Sequence, residues 1–373
     1  MSINTLFFSG HIGGDARFTY FTAESIFTDG NLDIADSISR KELGPLTESF
    51  DEVVRYAQER AAAGEKVYSK YDLGSTIVGV IFYGIGFGIT KIFPFLPKDY
   101  ILIFIFSLSN VFIVALCALY FYKIADLFIP NKRLSALLST GLVFSTVLFP
   151  YTVKSGFGEP LSCLAVTASL YYALLYEKNR KIGILLLSGL YAGLLFITKP
   201  YSVLALPGLG ILIFFTIKKT DPSKTALTGR FIEYGLSYAP GIILFLWYNY
   251  IRFGSIFNTG YGGTISHFFS AYSFLFTAYE IFFSPGKGIF LFNPLVVIGL
   301  AGIFPLYRAN KPLFACYCIT ITLFIAYFAG TGFWIAGISW GVRYFVPILT
   351  VLILPVIFFI KSAIEQQRNG RIR

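Results

Sequence analysis

Five ionisable side chains stand at the ends of long uncharged stretches of this chain: Glu159, Lys199, Arg252, Lys287 and Arg343. Ionisable groups within or at the edge of a membrane are by default candidates for function. Four cations gathered on one face can hold a phosphate. Arginine grips two oxygens and lysine acts as a point charge. The plainer reading is snorkelling toward lipid headgroups, which accounts for any one of these cations taken singly. Five such groups beside glycine-rich turns favour a site. The turn Ser284-Pro285-Gly286-Lys287-Gly288 sets a lysine between two glycines. The loop 333–344 places Arg343 just before an apolar run and carries Trp334, Trp340 and Tyr344 as candidate substrate-loop residues. An aromatic belt at the membrane surface accounts for the same tryptophans without a ligand. Neither turn is a phosphate-cradling Walker loop, and no zinc motif is present. The only histidines are His11 and His267. No metal ligands and no cofactor are assigned, and the spacing gives a divalent ion no support.

The elements that must position these groups are membrane helices. Of 373 residues, 55% are hydrophobic and 13% charged, about half the charged fraction of a soluble domain. Apolar runs long enough to cross the hydrocarbon fall at 100–122, 134–153, 160–176, 182–198, 200–217, 234–251, 288–307, 312–330 and 344–360. The expected fold is therefore an all-α polytopic membrane protein of about nine transmembrane helices. Sixteen basic residues fall in the loops on one side of these runs, and seven beyond residue 72 fall on the other. The richer side marks the cytoplasm. That orientation puts the C-terminus and the basic tail 362–373 inside, and the five charged groups outside. The net charge of +10 is spread among short loops, which argues against nucleic acid as a partner. Cys117, Cys163, Cys316 and Cys318 lie within apolar stretches and read as small buried hydrophobes.

Three regions stand apart from the regular spans. Residues 1–72 hold twelve acidic and seven basic residues, a net of −5, and read as a polar region with short helices. No cleavable signal peptide is expected, since Met1 to Ser9 is too short for an apolar core. The stretch 73–90 is uncharged and carries five glycines, so it either crosses the bilayer or dips into it and returns. Residues 252–287 form an external loop. Within it His267, Ser270, Ser273, Thr277 and Glu280 trace one polar stripe, as on a helix lying in the interface or packed on the spans.

A series of short motifs runs through the chain in order. It begins at Gly14-Asp15, Ala23-Glu24-Ser25-Ile26 and Asp29-Gly30-Asn31-Leu32-Asp33, and continues at Tyr71-Asp72-Leu73-Gly74-Ser75. Phe149-Pro150-Tyr151, Gly156-Phe157-Gly158-Glu159-Pro160 and Thr198-Lys199-Pro200 follow. The series closes with Tyr248-Asn249, Arg252-Phe253-Gly254-Ser255, Thr259-Gly260-Tyr261, Ser284 to Gly288, Asn293-Pro294, and Trp340-Gly341 with Arg343-Tyr344. This ordered set resembles the GT-C class of membrane glycosyltransferases, including protein O-mannosyltransferases and lipid A aminoarabinose transferases. These enzymes take a sugar from a polyprenyl-phosphate carrier.

The resemblance implies a GT-C-like fold in which 1–72 is the first external loop and 73–95 a juxtamembrane or re-entrant helix. It also implies that Asp15 occupies the position of the catalytic carboxylate. The implied reaction is an inverting transfer outside the plasma (inner) membrane, from a polyprenyl-phosphate-linked sugar to a lipid, glycan or protein hydroxyl. Asp15 is the expected general base. Arg343, Lys287, Arg252 and Lys199 are expected to neutralise the departing lipid phosphate, and Glu159 to orient a hydroxyl. Two departures stand out. Only nine residues precede Gly10, where the class has a first span, so this chain is expected to lack that helix. Ala16 and Arg17 follow Asp15 where relatives often carry a second acid, which argues against a two-carboxylate or metal-assisted centre. The competing readings are a polytopic transporter or lipid flippase, and a non-catalytic relative that binds lipid or a partner. Uncharged span interiors and the lack of matching halves weigh against a transporter.

Overall fold

A computed structural model describes residues 15–40, 59–60, 62–153, 158–220, 223–260, 271–337, 339–368 and 370. Among them the regular structure is helical. No strand forms, only an isolated bridge between Asp33 and Tyr68. Among the described residues five helices are long and apolar enough to cross a membrane: Leu73–Ile92, Lys98–Phe128, Pro200–Thr220, Lys311–Thr331 and Arg343–Arg368. The described residues are thus all-α, with helices long and apolar enough to cross a membrane. The ambiguous stretch 73–90 lies in one unbroken helix. Its first turn is capped by Asp72, whose carboxylate accepts from the Ser75 N–H at 2.7 Å.

Four of the other expected runs are interrupted. The run 134–153 divides into Lys132–Phe144 and Leu148–Val153. At the break the Thr146 hydroxyl turns back on the Leu142 carbonyl at 2.5 Å, a bond that competes with the helix ladder. The run 288–307 divides into Ile289–Phe292, Pro294–Leu300 and Ile303–Ala309; the first of these breaks falls at Asn293 because Pro294 has no N–H to donate. Asn293 mends both breaks. Its Oδ1 accepts from the Val147 N–H at 3.0 Å and its Nδ2 donates to the Ile289 carbonyl at 2.9 Å. Irregular backbone at membrane depth survives only where protein satisfies it in this way. The run 182–198 ends as the 3₁₀ turn Leu194–Ile197, and 234–251 is parted between Lys224–Leu236 and Ala239–Phe253. The run 160–176 lies within the continuous helix Glu159–Asn179.

Contacts divide the chain into two compact units. The first comprises 1–112, 151–158 and 243–263; the second comprises 113–150, 159–242 and 264–373. In the first unit, helix Asp15–Thr28 packs on helix Leu73–Ile92. Tyr20 meets Tyr83 and Phe106 edge to face, with ring centroids 5.3 and 5.2 Å apart. Gly79 permits this closeness, since a Cβ there would lie 2.9 Å from the Phe106 ring and 3.1 Å from the Thr19 methyl. The Asp29–Asp33 motif is a turn with a structural carboxylate. Asp33 Oδ1 accepts from the N–H groups of Ala35 at 3.1 Å and Val67 at 2.9 Å. It ties the segment before Leu73 back onto the short helices.

In the second unit, Arg343–Arg368 is the most enclosed of the long helices, buried continuously from Leu349 to Phe358. Helix Glu159–Asn179 packs on Ile182–Gly193, on Leu206–Thr220 and on the turn Arg343–Ile348. Helix Ala271–Phe283 packs on Lys311–Thr331. It buries Thr277 from the polar stripe and leaves Leu275, Phe276, Tyr279 and Phe283 exposed. His267 and Ser270 lie outside the described residues. All four cysteines are free; Cys117 and Cys163 approach to 3.4 Å between sulfurs.

Candidate functional site

The second unit assembles an ion pair at one end of its helices. Glu159 is the first residue of helix Glu159–Asn179, where the positive end of the helix dipole favours a carboxylate. Arg343 opens the 3₁₀ turn that leads into the enclosed final helix. Its Nε donates to Glu159 Oε1 at 2.8 Å. Glu159 is 0% exposed and the Arg343 side chain 11%. Burying a carboxylate this far from water is costly unless it is paired. The Tyr201 hydroxyl donates to the same oxygen at 3.2 Å. Glu159 Oε2 is buried and has no hydrogen-bond partner among the described residues.

The surrounding backbone explains the placement. Gly341 adopts a left-handed φ of 58°, which a side chain resists. A Cβ at that position would also lie 2.4 Å from Val147 Cγ1. The turn it permits lets the Arg343 N–H reach the Gly341 carbonyl at 3.0 Å and aims the guanidinium at Glu159. Tyr201 is fixed by rings. It meets Tyr344 at 5.1 Å and Phe328 at 5.3 Å, while Tyr344 stacks on Phe328 at 5.0 Å. Lys199 is buried and immediately precedes the turn Pro200–Ala205 that carries Tyr201.

Lys287 belongs to the same end of this unit. Its ammonium donates to the carbonyls of Ile335 and Gly337 and to Ser339 Oγ at 3.2 Å, tying the turn 284–288 to the loop before Arg343. Burial, then the positive charge of Arg343, lowers its pKa from the usual lysine range. The repulsion places the two cations within electrostatic reach of one another. In the loop itself Trp334 is buried at 5%, whereas Trp340 is 57% exposed and sets its edge against Phe292.

Asp15 and Arg252 belong to the first unit. Asp15 is the first residue of helix Asp15–Thr28; its side chain lies outside the described residues, as does Gly14 before it. Arg252 is buried, and its donors are spent on structure. Nη1 donates to the carbonyls of Ser69 and Tyr71, Nη2 to Asn249 Oδ1 at 3.1 Å, and Nε to the Tyr248 carbonyl at 3.1 Å. The guanidinium also lies 3.6 Å from the Tyr248 ring centroid, a cation–π stack. It joins the end of helix Ala239–Phe253 to the segment that leads into helix Leu73–Ile92.

Of the residues singled out in the sequence, Glu159, Arg343, Lys287 and Tyr344 come together at this end of the second unit. Sequence reasoning missed Tyr201 and Ser339. Tyr201 lies two residues beyond Lys199, but a tyrosine at a membrane edge looks the same whether it serves a site or a belt. Among the described residues no three His, Cys, Asp or Glu side chains cluster as metal ligands. No family model, curated protein or solved structure matches the chain. The likeness to the GT-C class rests on the ordered motifs in the sequence.

Proposed function

We propose that this protein is a membrane glycosyltransferase that moves a sugar from a polyprenyl-phosphate carrier to an acceptor hydroxyl. The observation that carries the reading is the buried Glu159–Arg343 pair, with one carboxylate oxygen, Oε2, left without a partner among the described residues. A buried acceptor atom left unsatisfied is costly. A hydroxyl from sugar or acceptor would satisfy it. Arg343, with Lys287 close enough to feel its charge, supplies the positive field that a departing phosphate needs.

In the proposed step the acceptor oxygen attacks the anomeric carbon and the bond from that carbon to the phosphate oxygen breaks. The electron pair leaves with the polyprenyl phosphate, and the acceptor proton passes to Asp15. Placing such a base correctly is worth about 10²–10⁴ in rate. Lys287 meets the phosphate only by exchanging one of its loop acceptors for a phosphate oxygen. Lys199 serves from the turn beside Tyr201. Arg252 serves by holding its own unit together. The finer topology belongs to the same proposal: a GT-C-like fold of about nine crossings in the plasma (inner) membrane, C-terminus cytoplasmic, site extracytoplasmic. It is supported by helix Glu159–Asn179, which carries Glu159 at one end and Lys178 at the other. At 1.5 Å per residue the two lie about 30 Å apart, the thickness of the hydrocarbon.

The test is turnover in reconstituted membranes supplied with polyprenyl-phosphate sugar and scored by release of polyprenyl phosphate. The parent should release it, and Asp15→Asn and Glu159→Gln should fall at least about a hundredfold. Movement of intact donor across the bilayer without cleavage would instead identify a flippase. Equal cleavage by parent and both variants would remove the assigned residues.

A further inference from the structure

We propose that the opposite end of the second unit binds the phosphate of an anionic membrane lipid. A cavity of about 480 Å³ opens there, lined by Lys178, Lys219, Arg308 and Lys311, with Glu177 the one carboxylate. These cations come from three places distant in sequence, the ends of helices Glu159–Asn179 and Leu206–Thr220 and the junction 308–311. Basic residues that only set membrane orientation need no common hollow; here four of them line one.

Their partners divide them. Lys219 pairs with Glu177 at 2.6 Å, and Lys178 donates to the Leu127 carbonyl at 3.3 Å. Arg308 lies over the Phe304 ring at 4.2 Å and Lys311 over Tyr307 at 5.7 Å, and neither has an acidic partner among the described residues. The cavity therefore carries an excess of positive charge. The same cavity has apolar walls, Leu127, Phe128 and Phe215. A wall of that kind suits the glycerol and first methylenes of a lipid better than a free anion. The positive end of helix Lys311–Thr331 points to this side, but its Leu313 N–H is already taken by Asn310 Oδ1 at 3.0 Å. The cations, not the helix end, carry the site. The inference does not depend on the transferase reading.

The experiment uses the full chain in detergent micelles. Phosphatidylglycerol and phosphatidylcholine are titrated separately and the bound lipid is counted by native mass spectrometry. A second arm adds inorganic phosphate as competitor. Phosphatidylglycerol should be retained over phosphatidylcholine. Arg308→Gln with Lys311→Gln should lower that retention about tenfold or more, as expected for two cations near a lipid surface. Lys132→Gln with Arg133→Gln, from the same set of basic loops in the sequence but outside the cavity, should change it less than about twofold. The exchange Arg308→Lys with Lys311→Arg should keep the binding and shows that loss in the glutamine pair is not misfolding. Equal loss in both glutamine pairs would reduce the effect to general surface charge and overturn the proposal. Full displacement by millimolar inorganic phosphate, with no preference between the lipids, would assign the cavity to a free anion and overturn the lipid as its source.

Discussion

Arg252 and Arg343 look alike in the sequence. Each flanks an apolar run, each follows an aromatic or glycine-rich segment, and each is largely buried in the fold. Their partners differ. Arg252 gives its hydrogen bonds to three main-chain carbonyls and an asparagine, and stacks on Tyr248. It is a clasp. Arg343 faces Glu159, an acid that keeps one buried oxygen in reserve. A buried arginine facing carbonyls holds a fold together. One facing an incompletely satisfied carboxylate is equipped to receive a ligand.

The largest expected effect separates the two arginines directly. Arg343→Lys keeps a positive charge but loses the fixed fork. Donor turnover should fall by about 10²–10³, while thermal unfolding moves by only a few degrees. Arg252→Lys should do the reverse. Losing charged hydrogen bonds to buried carbonyls should cost roughly 2–4 kcal/mol of stability, and the fraction that remains folded should turn over at nearly the parent rate. Stability curves and rates per folded molecule, measured on both variants, check the pair. An equal loss of rate in both would erase the distinction.

Smaller effects sharpen it. Gly341→Ala forces a Cβ into Val147 at a left-handed backbone position. It should destabilise the turn by roughly 1–3 kcal/mol, and lower activity because Arg343 is re-aimed. Suppression by Val147→Ala would tie the effect to that contact. Tyr201→Phe removes one hydrogen bond to Glu159 Oε1, worth about 1 kcal/mol. The expected result is a fivefold to tenfold rise in KM, roughly that energy, with the rings still packed.

Lys287 gives the smallest effect, and a signed one. Its pKa is lowered, so the folded protein releases this proton at a lower pH than the unfolded chain does. As pH rises through that window, below about 10.4, stability should rise slightly while the positive field at the site weakens. Donor KM should therefore climb as thermal stability does not fall. Lys287→Arg should move the climb to higher pH, and pH profiles of KM beside unfolding midpoints would show it.

Much of the fold was legible in the sequence because length and hydrophobicity alone decide whether a helix can cross a bilayer. The runs 100–122, 200–217, 312–330 and 344–360 all lie in long helices. The interruptions at 145–147 and 293 were hidden. An apolar average cannot see a threonine bonding back on its own helix, or an asparagine serving two breaks at once. The site was legible as a set of charged types but not as partnerships. Nothing in the spacing of Glu159 and Arg343, 184 residues apart, announces an ion pair. Nothing marks Lys287 as the tie between two loops, because its acceptors are main-chain carbonyls that every residue owns. Asp29 to Asp33 shows the converse, a motif carried by the resemblance whose final carboxylate the fold spends on backbone hydrogen bonds.

The most direct measurement is the affinity of the purified protein for polyprenyl phosphate, the leaving group itself, in the parent and in both arginine variants at fixed ionic strength. If Arg343 receives that phosphate, Arg343→Lys weakens binding by about tenfold or more and folded Arg252→Lys binds as the parent does. Unchanged affinity in Arg343→Lys, or an equal loss in both, would contradict the account.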